Sequence, residues 1–147
     1  MIKEKRLPTD VLEKIPGLIE TLRACEDVVA LFFFGGLSRG EIKPLSDLDL
    51  SLLLKNDSNP KKLFERELAL IGIIAGELGT EEFDLIILNT APLRFSHQIL
   101  RNGKMIFVKD PLQMADFQER IVKEYLDFIH YRRDFDRTFL GGLGLHG

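Results

Sequence analysis

The sequence predicts an α+β domain, a small mixed β-sheet with helices packed against it and a long helix near its C-terminal end, on three observations. Four short apolar runs of strand length, Val28–Phe34, Asp47–Leu54, Phe83–Leu88 and Lys104–Val108, are interleaved with segments of helical periodicity. The first two runs follow one another with no helical pattern between them, a direct strand–strand link that a purely parallel α/β sheet does not use. The chain has 147 residues, 45% hydrophobic and 29% charged, which suits one buried core and excludes a fibrous or fully disordered chain. Residues 1–140 are expected to form a single domain. Residues 141–147, with four glycines in seven, are expected to be a flexible tail.

Taken in order, Thr9 or Asp10 can cap a first helix, with Glu13 three residues after Asp10 as a capping-box partner. Pro16 either breaks that helix or restarts it as the first residue of a second piece running to about Cys25. Val28–Phe34 is a continuous apolar run rich in β-branched and aromatic residues, the pattern of a strand buried on both faces, and it ends at Gly35-Gly36. Ser38–Leu45 is a polar loop containing Gly40 and Pro44, and Asp47–Leu54 is the second strand. Asn56–Pro60 is a turn and cap with Pro60 at the first helical position. The helix that follows carries Phe64, Leu68, Ile71, Ala75 and Leu78 on one face and ends at Gly79. Phe83–Leu88 is the third strand, Pro92–Arg101 a short helix stopped near Gly103, and Lys104–Val108 the fourth strand. From Pro111 a long helix carries Phe117, Ile121, Tyr125 and Phe128 down one side to about Phe139; its Tyr125–Arg133 stretch reads as core packing or as a docking face for a partner helix.

Composition narrows the function. A net charge of −3 argues against a sequence-independent nucleic-acid coat, which needs a basic surface. The longest apolar runs fall far short of the ~18 residues of a membrane span. Met1–Thr9 is charged, unlike a secretory signal, and the lone Cys25 reads as a small buried hydrophobe. A cytoplasmic protein is expected. The three histidines form no cluster with Cys25 that suggests zinc.

Three aspartates carry the chemistry. Asp47 and Asp49 stand two apart at the start of a strand, so their carboxylates project from the same face, while Leu48 and Leu50 point the other way. Two ionised carboxylates this close repel, and a hard divalent cation with oxygen ligands, such as Mg²⁺, cancels that cost. Asp84 opens the third strand, and if the second and third strands are neighbours it comes beside the pair. Such a trio suits one or two metal ions that clamp a triphosphate and activate a hydroxyl. Gly35-Gly36 let the backbone approach phosphate oxygens; Ser38 adds a hydroxyl donor, and Arg39 a guanidinium fork matched to phosphate.

The stretch Phe34-Gly35-Gly36-Leu37-Ser38-Arg39-Gly40, followed after ten residues (Leu37–Ser46) from Gly36 by Asp47-Leu48-Asp49, resembles the signature of the DNA polymerase beta-type nucleotidyltransferase superfamily. The short chain and the Arg-Gly of the loop look most like the minimal nucleotidyltransferases, many of which are antitoxins paired with HEPN-type toxins. The resemblance extends over about residues 10–130, through Asp84 and the Ile99–Lys104 segment. It implies the polymerase beta-like fold, with residues 1–140 as one minimal nucleotidyltransferase domain.

It further implies that Asp47, Asp49 and Asp84 are catalytic and ligate Mg²⁺, with Asp84 also handling the acceptor hydroxyl. Gly35 and Gly36 would hold the phosphates of ATP, assisted by Ser38 and Arg39. The expected reaction moves AMP from ATP to a hydroxyl, a tyrosine of a partner HEPN-type toxin, in a homo- or hetero-oligomer. The alternatives are an antitoxin that neutralises its partner by contact without catalysis, and a small-molecule nucleotidyltransferase. One departure stands out: the minimal group usually has Ser where this chain has Gly36, so a hydroxyl donor to phosphate is missing.

Overall fold

The computed structural model describes residues 11–35, 48–55 and 59–142. Among the described residues four helices and four strands follow one another in the expected order: α1 (Val11–Ala24), β1 (Val28–Phe34), β2 (Leu48–Leu54), α2 (Pro60–Leu78), β3 (Phe83–Ile87), α3 (Leu93–Asn102), β4 (Lys104–Val108) and α4 (Pro111–Gly142). The strands form one sheet in the order β3-β2-β1-β4. β1 lies antiparallel to β2 and to β4, whereas β2 and β3, joined through α2, are parallel. The sheet is thus mixed, as expected.

β1 is buried on both faces because helices cover the sheet on each side. On one face Leu18 and Leu22 of α1 and Leu70, Ile74 and Leu78 of α2 pack on Leu48, Leu50, Leu52 and Leu54 of β2. On the other, Ile99 of α3 and Met114, Phe117 and Ile121 of α4 pack on Phe32, Leu53 and Leu88. The alternation of a strand then sends Asp49, Ser51 and Leu53 to the α3–α4 face.

α1 is continuous through Pro16, contrary to the break or restart expected from the sequence. The first four N–H groups of a helix have no intrahelical acceptor, so a proline at the sixth position removes only one early hydrogen bond. Val11, ahead of the proline, and Leu18 and Leu22, after it, are all buried in one cluster. Each such burial contributes ~1.5–3 kcal/mol, enough together to outweigh the ~3 kcal/mol that an interior proline costs. The proposed caps Thr9 and Asp10 lie outside the described residues.

α2 starts and stops as its sequence dictates. Asn59 is the N-cap, its Oδ1 accepting from the N–H groups of Lys61 (3.0 Å) and Lys62 (3.4 Å), and Pro60 occupies the first position. Gly79 takes the left-handed conformation (φ 68°) that closes the helix. Its buried face matches the expected one only at Leu78, which is buried. Phe64 and Leu68 are 59% and 52% exposed, and Leu70 and Ile74 are fully buried. The helix carries two apolar stripes that share Leu78, and the buried stripe of Leu70, Ile74 and Leu78 is centred roughly 80° around the axis from the expected one at 100° per residue. Packing against α1 and the sheet selects between them. The bidentate pair of Arg66 with Asp27 (Nη2–Oδ1 2.9 Å) ties α2 to the turn before β1. That hydrogen bonding raises the Arg66 pKa above its ordinary value despite the opposing cost of desolvation.

α4 keeps the expected stripe through Phe117 and Ile121, buried, and Tyr125, whose ring stacks on His97 of α3 at 3.5 Å. Phe128 is instead 40% exposed, and Tyr131 and Phe135 are more so, because the helix outruns the sheet it covers. α4 extends to Gly142, taking in Gly141 and Gly142 that the sequence assigns to the tail; residues 143–147 lie outside the described residues. Among the described residues no helix is long and apolar enough to cross a membrane.

Candidate functional site

β1 ends where β2 and β3 begin, so three chain segments meet at one end of the sheet. Phe34, the last residue of β1, pairs with Asp49 of β2, and Asp49 pairs in turn with Asp84 of β3. In-register residues of neighbouring strands share a face and lie about 4.8 Å apart across the ladder. Asp49, half-buried, and Asp84, exposed, therefore stand side by side on the α3–α4 face. The adjacency on which the position of Asp84 depended is present.

Gly35 completes this corner. Its φ of 70° lies in the left-handed region that side chains disfavour. A Cβ built there would also collide with the Asp49 carboxylate oxygen Oδ2. Glycine at this position lets the backbone turn out of β1 directly against the Asp49 side chain.

Of the remaining sequence-predicted residues, Asp47, Gly36, Ser38 and Arg39 lie outside the described residues, as does the Ser38–Leu45 loop. Among the described residues no group of three or more His, Cys, Asp or Glu side chains is placed to hold a metal ion. Two carboxylates on one face offer hard oxygen donors of the kind Mg²⁺ takes, and Asp47, one residue before β2, is the candidate third. The donor chemistry at Asp49 and Asp84 fits such an ion.

Sequence reasoning passed over Ser51. It lies two residues beyond Asp49 on the same face, is fully buried, and its Oγ donates to the Ile86 carbonyl of β3 at 3.1 Å. This bond locks the register of β3 on β2 and so holds Asp84 beside Asp49. The signal was available as a lone hydroxyl in the apolar run Leu48–Leu54. At the opposite end of the sheet Asn89 does similar work: its Oδ1 accepts from Leu54 N (2.8 Å) and its Nδ2 donates to Leu54 O (2.9 Å). A cleft of about 270 Å³ beside it, lined by Leu53, Asn89, Gln113, Asp116 and Arg120 among others, is remote from the paired aspartates.

The model of the family "Polymerase beta, Nucleotidyltransferase" matches residues 17–112, about two thirds of the chain. No curated protein matches the sequence at a significant level. Among solved structures, the chain is similar to one in a crystal structure of a toxin-antitoxin with AMP-PNP, at TM-score 0.62 and 20% identity over 87% of this chain and 97% of that one. It is also similar to a chain of the MntA-HepT toxin-antitoxin, at TM-score 0.56 and 17% identity over 90% and 99%. A third likeness is to a chain of a tri-AMPylated Shewanella oneidensis HEPN toxin in complex with MNT antitoxin, at TM-score 0.57 and 18% identity over 88% and 96%. At these identities the likeness shows the fold.

Proposed function

Because the chain belongs to the polymerase beta nucleotidyltransferase family, we propose that it transfers AMP from ATP to a hydroxyl of a partner protein in the cytoplasm, a tyrosine of a HEPN-type toxin that the modification silences. The observation that carries this reading is the register that sets Asp49 and Asp84 side by side, with Gly35 closing against Asp49. The toxin–antitoxin complexes among its structural neighbours, one with AMP-PNP and one with an AMPylated toxin, support the choice of nucleotide and partner.

In this reaction the acceptor oxygen attacks the α-phosphorus of ATP, a new P–O bond forms, the bond to pyrophosphate breaks, and pyrophosphate leaves. Asp84, on the exposed side of the pair, accepts the hydroxyl proton. Asp49 and Asp84, with Asp47, hold Mg²⁺, which when bound neutralises charge developing on the phosphoryl oxygens. Gly35 and Gly36 present backbone N–H groups to the phosphates, and Ser38 and Arg39 assist them. Gly36, where the minimal group usually has Ser, favours a second reading in which the protein neutralises its partner by contact alone.

The two readings separate in a transfer assay with α-labelled ATP, Mg²⁺ and a lysate of the source cells, comparing the wild type with Asp49→Asn. A labelled protein band that depends on Asp49 is expected, and its mass identifies the acceptor. Absence of label alongside intact Mg-ATP binding would reject transfer to protein and leave the contact reading or transfer to a small molecule.

A further inference from the structure

β3 is an edge strand, and it is also the strand that carries Asp84. The Leu88 N–H donates to the Leu52 carbonyl at 2.9 Å, and the Ile86 carbonyl accepts from Ser51 Oγ on the same side. Backbone polar groups alternate in direction along a strand, so residues 84, 86 and 88 address β2 while residues 83, 85 and 87 address the open side. The Phe83 N–H is used by Glu81 O and the Ile87 carbonyl by Thr90 N. That leaves Phe83 O, Leu85 N, Leu85 O and Ile87 N directed outward, and among the described residues no strand pairs with them.

The other edge is protected in the usual ways. β4 carries a register shift against β1, starts at Lys104 and is followed by Lys109. β3 has neither a shift against β2 nor a lysine or proline within it. Its remaining charge is Asp84 itself, with Glu81 and Glu82 just ahead of it.

We propose that the acceptor segment of the partner protein docks in extended form along the outer edge of β3, as a fifth strand, with its hydroxyl-bearing side chain beside Asp84. This rests on the transfer reaction proposed above and names the surface that presents the acceptor. Main-chain bonds to the open edge give register, and a side chain opposite Asp84 falls on the same face as the paired aspartates. The acidic start of the strand suits lysine or arginine near the hydroxyl residue. A strand added at this edge reaches Asp84 without crossing the rest of the sheet.

The test uses the acceptor labelled in the lysate experiment, with a synthetic peptide of its modified site as probe. Leu85→Pro removes one outward N–H, and proline is tolerated on an edge strand when its nitrogen faces outward. The expected result is a rise of about tenfold or more in the KM for the peptide, the scale of one lost hydrogen bond, with the KM for ATP unchanged. An unchanged peptide KM would overturn the docking mode while leaving the transfer reaction intact.

Should Leu85→Pro fail to fold, hydrogen exchange on the wild-type protein with saturating peptide decides the matter. The Leu85 and Ile87 amides are expected to gain protection, and continued free exchange overturns the proposal. A wild type that labels no protein overturns the function reading, and this inference with it.

Discussion

Replacing Gly35 by alanine perturbs the candidate site at its tightest point. The residue sits at φ 70°, where a side chain costs about 1–2 kcal/mol in backbone strain. For a chain of this size each kilocalorie lowers the melting temperature by roughly 2–4 °C, so a fall of about 2–8 °C is expected. The larger effect is on the chemistry. The new Cβ collides with Asp49 Oδ2, and the carboxylate must move by about 1 Å to restore ordinary contact at ~3.5 Å. Displacing a reacting group by about 1 Å is enough to lower turnover roughly 100-fold. Thermal melting followed by circular dichroism and initial rates of AMP transfer read the two parts separately. An unchanged melting temperature would refute the left-handed backbone at Gly35. A lowered melting temperature with transfer within twofold of wild type would refute the placement of Asp49 in the reaction.

Gly72 is the converse case: it lies in the interior of α2, and a Cβ there meets nothing within 4 Å. Gly72→Ala is expected to stabilise the protein by ~0.5–1 kcal/mol, raising the melting temperature without changing transfer. Asn89→Ala removes both hydrogen bonds to the Leu54 backbone at the end of the sheet remote from Asp49. Loss of these partners should cost about 1–3 kcal/mol in a urea titration while the KM for ATP holds, and a changed KM would contradict the separation of the two ends.

Element positions were legible wherever local chemistry set them. Asn59, Pro60 and Gly79 bound α2 because capping geometry involves only neighbours in the chain. The limits of β1 and β4 follow from unbroken β-prone runs closed by glycine, proline or charge. Where two answers were locally equivalent, the choice came from elsewhere in the fold. Phe64 and Leu68 satisfy helical periodicity as well as Leu70 and Ile74, and only the position of α1 and β2 decides which pair is covered. Pro16 gives a strong local signal to stop, and it is overridden by burial of Val11, Leu18 and Leu22 on one face.

The candidate site divides in the same way. The spacing of Gly35 and Gly36 from Asp47 and Asp49, and the appearance of Asp84 at a strand start, are properties of the sequence by itself, because strand alternation fixes which residues share a face. That Asp84 stands beside Asp49 is decided only by tertiary structure, through the parallel pairing of β2 and β3 and the Ser51–Ile86 bond that holds their register. So is the exposure of Asp84 on an open edge, since strand order depends on how α2 carries the chain from β2 to β3. Neighbour-to-neighbour geometry writes the first set of facts into the chain. The second depends on contacts between segments 35 residues apart, which no local pattern contains.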